Sequence, residues 1–304
     1  MSVRTENPTV TEEHVATASR PSGLRITDLR VANLHGVPFR SSIIRIDTNQ
    51  GLAGYGEVRD QASATYALML KTRLVGENPC NVDKIFRKIK QFGFHGRQGG
   101  GVSGVEMALM DLAGKAYGVP AYALIGGRFR DEIRCYADTP SLPDPHAMGA
   151  RLADRKPRGF TMLKMDVGID LLWDVPGALI APNGARADST TMHPFTGIQV
   201  TAKGVEYLPS YVDTVRSVVG YDIALAADHF GHIALDSCIW SDRVTGLPRP
   251  LIRNGHITVP DTPGLGFGDI NEELFQRVLD PRAPEFFTDS GHWDGESSHD
   301  RLWS

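Results

Sequence analysis

The chain has 304 residues, a formal net charge of −4 and 41% hydrophobic residues, which is enough for two packed cores. A near-neutral balance without a Lys/Arg block gives no electrostatic basis for binding nucleic acid or an anionic membrane. No apolar run approaches the roughly 20 residues a membrane helix needs.

Residues 1–22, "MSVRTENPTVTEEHVATASRPS", are polar and lack the apolar segment of a secretory signal, so they read as a disordered leader. From there, "RITDLRVANL" and "SSIIRIDTNQGLAGYGEV" alternate apolar and polar residues around the turn Asn49-Gln50-Gly51, which predicts antiparallel strands with one wet face. Between Gln61 and Phe94 the period turns helical, as in "ATYALMLKTRLVG" and "VDKIFRKIKQF". The glycine cluster "HGRQGGGVSG" then opens a longer helical run that ends before Pro120. Strands first and helices after make residues 23–130 an α+β domain.

From Asp131 the grammar changes. "EIRCYADT" reads as a strand, "PHAMGARLADRKPRG" as a helix, "FTMLKMDVG" as a strand, "KGVEYLPSYVDTVRSVVG" as a helix and "YDIALAADHF" as a third strand. That alternation predicts βαβ units and a parallel sheet over 131–240. A long Pro-, Gly- and Asp-rich connection, Ile169 to about Thr201, is either a lid or a floppy excursion. The remainder, 241–304, is turn-rich, and its last stretch carries two exposed-looking tryptophans, Trp293 and Trp303. Cys80, Cys135 and Cys238 are odd in number and widely spaced, which predicts reduced thiols in a cytoplasm and no zinc ligand set.

Ligands of parallel sheets gather at the carboxyl ends of the strands. Three strand ends therefore matter: Asp138-Thr139, Lys164-Met165-Asp166 and Asp228-His229-Phe230. Residues i and i+2 share a face, so Lys164 and Asp166 project together with Met165 opposite. A lysine on the rim of an apolar barrel can titrate low and move protons; the plainer reading is a Lys–Asp ion pair at a strand edge. Asp228 follows the apolar run "IALAA", so its carboxylate emerges from a buried strand and needs a cation, donors or water. Mg²⁺, an oxygen-binding ion often held by few carboxylates, is the cation that suits it. His229 and His232 are acid/base groups or histidines satisfied by neighbouring backbone.

Several stretches together resemble the enolase superfamily in its mandelate racemase/muconate lactonizing branch. "GVSGVEMALMDLAGKAYGVPAYALIGG", Gly101 to Gly127, resembles the branch's signature helix through Ala108, Leu109, Asp111, Leu112, Gly114, Lys115, Pro120, Leu124, Gly126 and Gly127. "GLAGYGEV", Gly51 to Val58, matches its Gly-x-x-Gly-x-Gly-Glu turn. The resemblance implies an enolase-like α+β cap on a modified α/β barrel. It also implies Mg²⁺ stabilising an enediolate formed by removing a proton α to a carboxylate, with a Lys or His base, the arrangement described for enolase-superfamily sites in general.

Carried over by position, Lys164 matches the first lysine of the family's Lys-x-Lys, and Asp166 stands where the second, often the base, would be. Asp228 matches the first of three acidic metal ligands. His229 and His232 replace the polar residues that commonly follow it, which suggests a dehydratase-like or otherwise specialised site. His35 and Arg59 are candidate substrate contacts, with exposed surface residues as the plainer reading. A homo-oligomer is expected from the resemblance alone.

A complete barrel takes about 250 residues, whereas the stretch after Asp131 offers three strand–helix steps before "LPRPLIRNGHITVPDTPGLGFGDINEEL". That last stretch resembles the family's return to the cap, with its turn at Pro263 to Gly266. The family's middle, with the second and third acidic ligands, has no counterpart, and the join falls near Ile239–Trp240. The expectation is a Mg²⁺-dependent lyase that dehydrates a sugar acid, shortened internally. The competing expectations are a racemase or cycloisomerase on a related carboxylate, and an inactive truncated paralogue or binding protein.

Overall fold

The structure is a computed structural model that describes residues 20–36, 40–58, 62–93, 99–186, 197–228 and 242–295. The chain divides into two compact units. The first comprises 1–131, 239–249 and 259–304, and the second comprises 132–238 and 250–258.

In the first unit, β1 (Ile26–Leu34), β2 (Ser41–Thr48) and β3 (Ala53–Val58) form an antiparallel meander in that order. Alternation sends Ile44 and Ile46 into one core, while Ile43, Arg45 and Asp47 face the other way. Helical turns α1 (Thr65–Leu68) and α2 (Lys71–Leu74) and helix α3 (Val82–Ile89) surround the long helix α4 (Gly99–Tyr117), and the short α5 (Ala121–Leu124) follows. The stretch from Ala64 to Gly76, expected as one helical run, is thus two single turns. Helix α4 is buried along most of its length because it lies directly on β3. Glycines make that approach possible. A Cβ on Gly56 would overlap the Gly104 carbonyl, and one on Gly104 would stand 2.9 Å from the Glu57 oxygen.

The opposite face of the meander is covered by the returning segment. There Ile270, Phe275 and Phe287 form a core with Ala32, Leu34 and Tyr55, and helix α8 (Glu272–Arg277) lies in this stretch. Asp111, with no solvent exposure, ties the layers together. Its Oδ2 accepts the Tyr55 N–H (3.1 Å) and Lys115 Nζ (2.7 Å), and its Oδ1 accepts the Leu265 N–H (2.9 Å). Lys115 also donates to the Ala53 carbonyl.

At the end of the return, buried Lys71 is held between Asp28 (2.7 Å) and Asp294 (2.6 Å) and donates to Ser290 Oγ. Burial pulls the Lys71 ammonium's pKa down, but its hydrogen bonds to the two carboxylates outweigh that and leave it raised. Trp293 beside this clamp is buried in the main core, not exposed as its polar sequence context suggests; Trp303 lies outside the described residues.

In the second unit, β5 (Ala137–Thr139), β6 (Met162–Asp166) and β9 (Ala224–Asp228) form a parallel sheet in that order. Helix α6 (Pro145–Ala153) is capped by Asp144, which accepts from the N–H groups of His146 and Ala147. Helix α7 (Ala202–Val219) is capped by Thr201, which accepts from Gly204. Met148 and Leu152 of α6, with Tyr211, Val215 and Val219 of α7, bury Leu163 and Met165 on one face of the sheet.

"EIRCYADT" is two strands rather than one. Glu132–Arg134 is β4, which leaves the parallel sheet to pair antiparallel with β10 (His256–Thr258), a partner far along the chain. Residues 250–258 of the expected return belong to this unit for the same reason. The long connection is tied together at its base. Leu179–Ile180 (β7) pairs antiparallel with Gln199–Val200 (β8), and 187–196 lie outside the described residues. Cys80 and Cys135 are free thiols, while Cys238 and the expected join near Ile239–Trp240 fall outside the description. No helix among the described residues is long and apolar enough to cross a membrane.

Candidate active site

The candidate site lies at the carboxyl ends of β5, β6 and β9, on the face opposite α6 and α7. In β6 the burial alternates, with Leu163 and Met165 in the core and Lys164 and Asp166 on the other side, as i, i+2 spacing predicts. Pairing sets Asp138 opposite Lys164, and Asp166 opposite Asp228. Three neighbouring strands thus carry three carboxylates and one ammonium at their carboxyl ends.

Lys164 Nζ lies 2.8 Å from Asp228 Oδ2 and 3.4 Å from Asp138 Oδ2. The Tyr136 ring centre is 5.3 Å from the same nitrogen, a cation–π contact. Burial lowers the Lys164 pKa, but the hydrogen bond to Asp228 and the charge of Asp138 exceed it, so the ammonium titrates above its ordinary value. Of the two readings the sequence leaves open for Lys164, a low-titrating proton carrier or an ion pair, this geometry matches the ion pair. Barrel burial alone would depress the pKa, but the flanking carboxylates decide the sign. The ion pair expected at the strand edge exists, with partners on the neighbouring strands.

Asp138 is the residue that sequence reasoning named only as a strand end. Its side chain is 5% exposed, against 35% for Asp228. Asp228 accordingly does not emerge from a buried strand. β9 is half open and, among the described residues, forms an edge of its sheet. Asp166 lies beside this pair in register, and its backbone carbonyl accepts Ser141 Oγ at 2.5 Å.

Magnesium requires oxygen ligands in near-octahedral array, usually one or two carboxylates with retained water. Carboxylates at the three strand ends are of the right chemical type. Among the described residues, however, no group of three or more His, Cys, Asp or Glu side chains comes together to hold a metal. The Asp228 oxygen that would ligate the ion already has the Lys164 ammonium on it. The described residues do not fit the ion as they stand.

Of the other candidate residues, His229, His232 and Arg59 lie outside the described residues. His35 belongs to the first unit; its side chain is exposed and its backbone N–H donates to the Val278 carbonyl.

Comparison with known proteins places these observations in context. The profile of the mandelate racemase/muconate lactonizing enzyme N-terminal domain matches residues 15–126. A D-xylonate dehydratase of Haloferax volcanii is 28% identical over 227 residues, which is 71% of this chain and 48% of that protein. A D-galactonate dehydratase of Verminephrobacter eiseniae is 38% identical over 122 residues, 37% of this chain and 31% of that protein. The chain spans about half or less of the length of these relatives.

Among solved structures, a mandelate racemase/muconate lactonizing enzyme-like protein from Rubrobacter xylanophilus superposes with a TM-score of 0.69 at 20% identity, covering 87% of this chain and 99% of that one. An enolase from Pantoea ananatis, solved with bound D-gluconate and Mg, gives a TM-score of 0.55 at 21% identity, over 68% of this chain and 54% of that one.

Proposed function

We propose that this chain, whose residues 15–126 match the N-terminal domain of the mandelate racemase/muconate lactonizing branch, takes a sugar acid at the carboxyl ends of β5, β6 and β9 and removes water from it. One observation carries the reading: the ammonium of Lys164, fixed among carboxylates where parallel sheets gather ligands. The names of the relatives, dehydratases of D-xylonate and D-galactonate, support the substrate class.

The reaction is a β-elimination. The C2 proton leaves to a base, the C3 hydroxyl leaves as water after gaining a proton, and the resulting enol becomes a 2-keto-3-deoxy acid. Lys164, paired with Asp228 and Asp138, is the proposed donor to the oxyanion that grows on the substrate carboxyl group. Asp166, on the same face of β6, is the proposed base, and His229 and His232 are the proposed proton donors to the leaving hydroxyl.

A second reading, an acid-binding protein without turnover, is favoured by the same ion pairs. Asp138 and Asp228 already neutralise the ammonium and weaken it as an electrophile. Incubation with D-xylonate, D-galactonate and D-gluconate, followed by assay for the keto-deoxy product, separates the two readings. Turnover is expected, and Lys164→Met is expected to lower kcat by about 10²–10³-fold, the usual effect of losing one oxyanion donor. Sugar-acid binding without product would favour the second reading, and no binding of any of the three acids would refute both.

A further inference from the structure

We infer that Lys164 is the resident cation of this site, holding by its ammonium the position on Asp228 that the family resemblance gives to a divalent metal ion. This rests on the reading of the β5–β6–β9 strand ends as the active site, and goes beyond it by assigning where the positive charge comes from. Lys164 sits on the central strand of three, so its side chain reaches carboxylates on both neighbours, at 3.4 Å on β5 and 2.8 Å on β9. The aromatic face of Tyr136 supports the same nitrogen from within β5's own entry.

The ammonium disfavours a divalent ion on Asp228 for a geometric reason. An ion ligated to Asp228 Oδ2 at about 2.1 Å would stand within about 5 Å of a nitrogen already on that oxygen, and two like charges at that range repel strongly. Asp138, with 5% exposure, anchors Lys164 from the side away from Asp228 and opposes its withdrawal. The described residues also offer no group of three acidic or metal-binding side chains that could outbid the ammonium. The internal cation and a divalent ion therefore compete for one carboxylate, and the internal one is covalently tethered.

The test uses the full chain and Mn²⁺ as the probe, counting bound ions by the loss of the free-ion electron paramagnetic resonance signal. Wild-type protein is expected to bind no Mn²⁺ below millimolar concentration. Lys164→Met keeps the apolar stem and removes the charge; it is expected to bind one Mn²⁺ at least about tenfold more tightly than wild type, and to lose it when Asp228→Asn is added. Should the methionine variant fail to fold, Lys164→Gln carries the same comparison. One tightly bound Mn²⁺ in wild type that Asp228→Asn abolishes overturns the assignment. So does a folded Lys164→Met or Lys164→Gln protein that binds no better than wild type. Ion counting needs no turnover, so its failure leaves the dehydration reading to its own assay, and the reverse holds equally.

Discussion

Asp111→Asn preserves the shape of a fully buried side chain and changes only what it can accept. If the amide oxygen stays on the Leu265 N–H, the amide nitrogen faces two donors, the Tyr55 N–H and Lys115 Nζ. One backbone donor is then left unmet, worth about 1–3 kcal/mol, and one charged hydrogen bond is lost, worth about 1.5–3 kcal/mol. Lys115 keeps its bond to the Ala53 carbonyl and a 14% exposed side chain, so its stranded charge is partly solvated. That places the loss near the lower end of the range for breaking a buried pair, about 3 kcal/mol. At about 2–4 °C per kcal/mol for a domain of this size, the first unit should melt about 6–12 °C lower.

Calorimetry measures the shift, and hydrogen exchange locates it. Protection should fall in β3 and around Leu265, with β5, β6 and β9 unchanged. Adding Lys115→Met should recover part of the loss by removing the stranded ammonium. A single variant that melts within about 2 °C of wild type would show that the three contacts contribute little and that the reasoning is wrong.

Two other outcomes are expected. Gly264 has φ +77°, and a Cβ there would overlap Asp111 Oδ1 and lie 2.9 Å from the Asp111 carbonyl. Gly76 has φ +84° with nothing within 4 Å. Gly76→Ala should therefore cost only the left-handed strain, about 1–2 kcal/mol, and Gly264→Ala clearly more; equal melting temperatures would remove the packing argument. Asp280 is held at a pKa of about 2 by the Arg282 backbone N–H, and by the Arg40 and Arg282 guanidiniums, which together outweigh burial. Its depressed folded-state pKa means that its stabilisation is present above the unfolded value, about 3.9, and is lost as pH falls toward the folded one. The melting-temperature gap between wild type and Asp280→Asn should shrink between about pH 4 and pH 2, and a gap constant over that range would contradict the assignment.

What could be seen in the sequence was what local periodicity encodes. The alternation in β1 and β2, the 3.6-residue pattern of α4 and α7, and the i, i+2 pairing of Lys164 with Asp166 all survive in the structure because each depends on neighbours a few residues away. What could not be seen depended on distant partners. β4 separates from β5 because its hydrogen bonds go to His256–Thr258. Trp293 looks exposed in "DSGHWDGESS" but is buried in the main core, which residues of β1, β2 and α4 also build. The choice between a low-titrating Lys164 and an ion-paired one needed the carboxylates of two other strands, which the sequence does not place. Asp138 was visible as a strand end, but its role as a partner follows only from the β5–β6 register.

The residues that carry the family resemblance and those proposed to carry the chemistry lie in different units, and they answer to different physics. Asp111, Gly114, Lys115 and the Pro263–Gly266 turn are a packing device. Gly114 admits Gly264 so closely that a Cβ would stand 2.7 Å from its Cα, and Asp111 accepts the next N–H of that turn. Such a device holds the meander, the long helix and the return of the first unit together whether or not a reaction occurs elsewhere. The reacting groups proposed in the second unit are a handful of side chains on three short strands, which could change without disturbing that packing. A match over residues 15–126 therefore says how the first unit is built. The proposed removal of water from a sugar acid rests instead on one ammonium and the carboxylates around it.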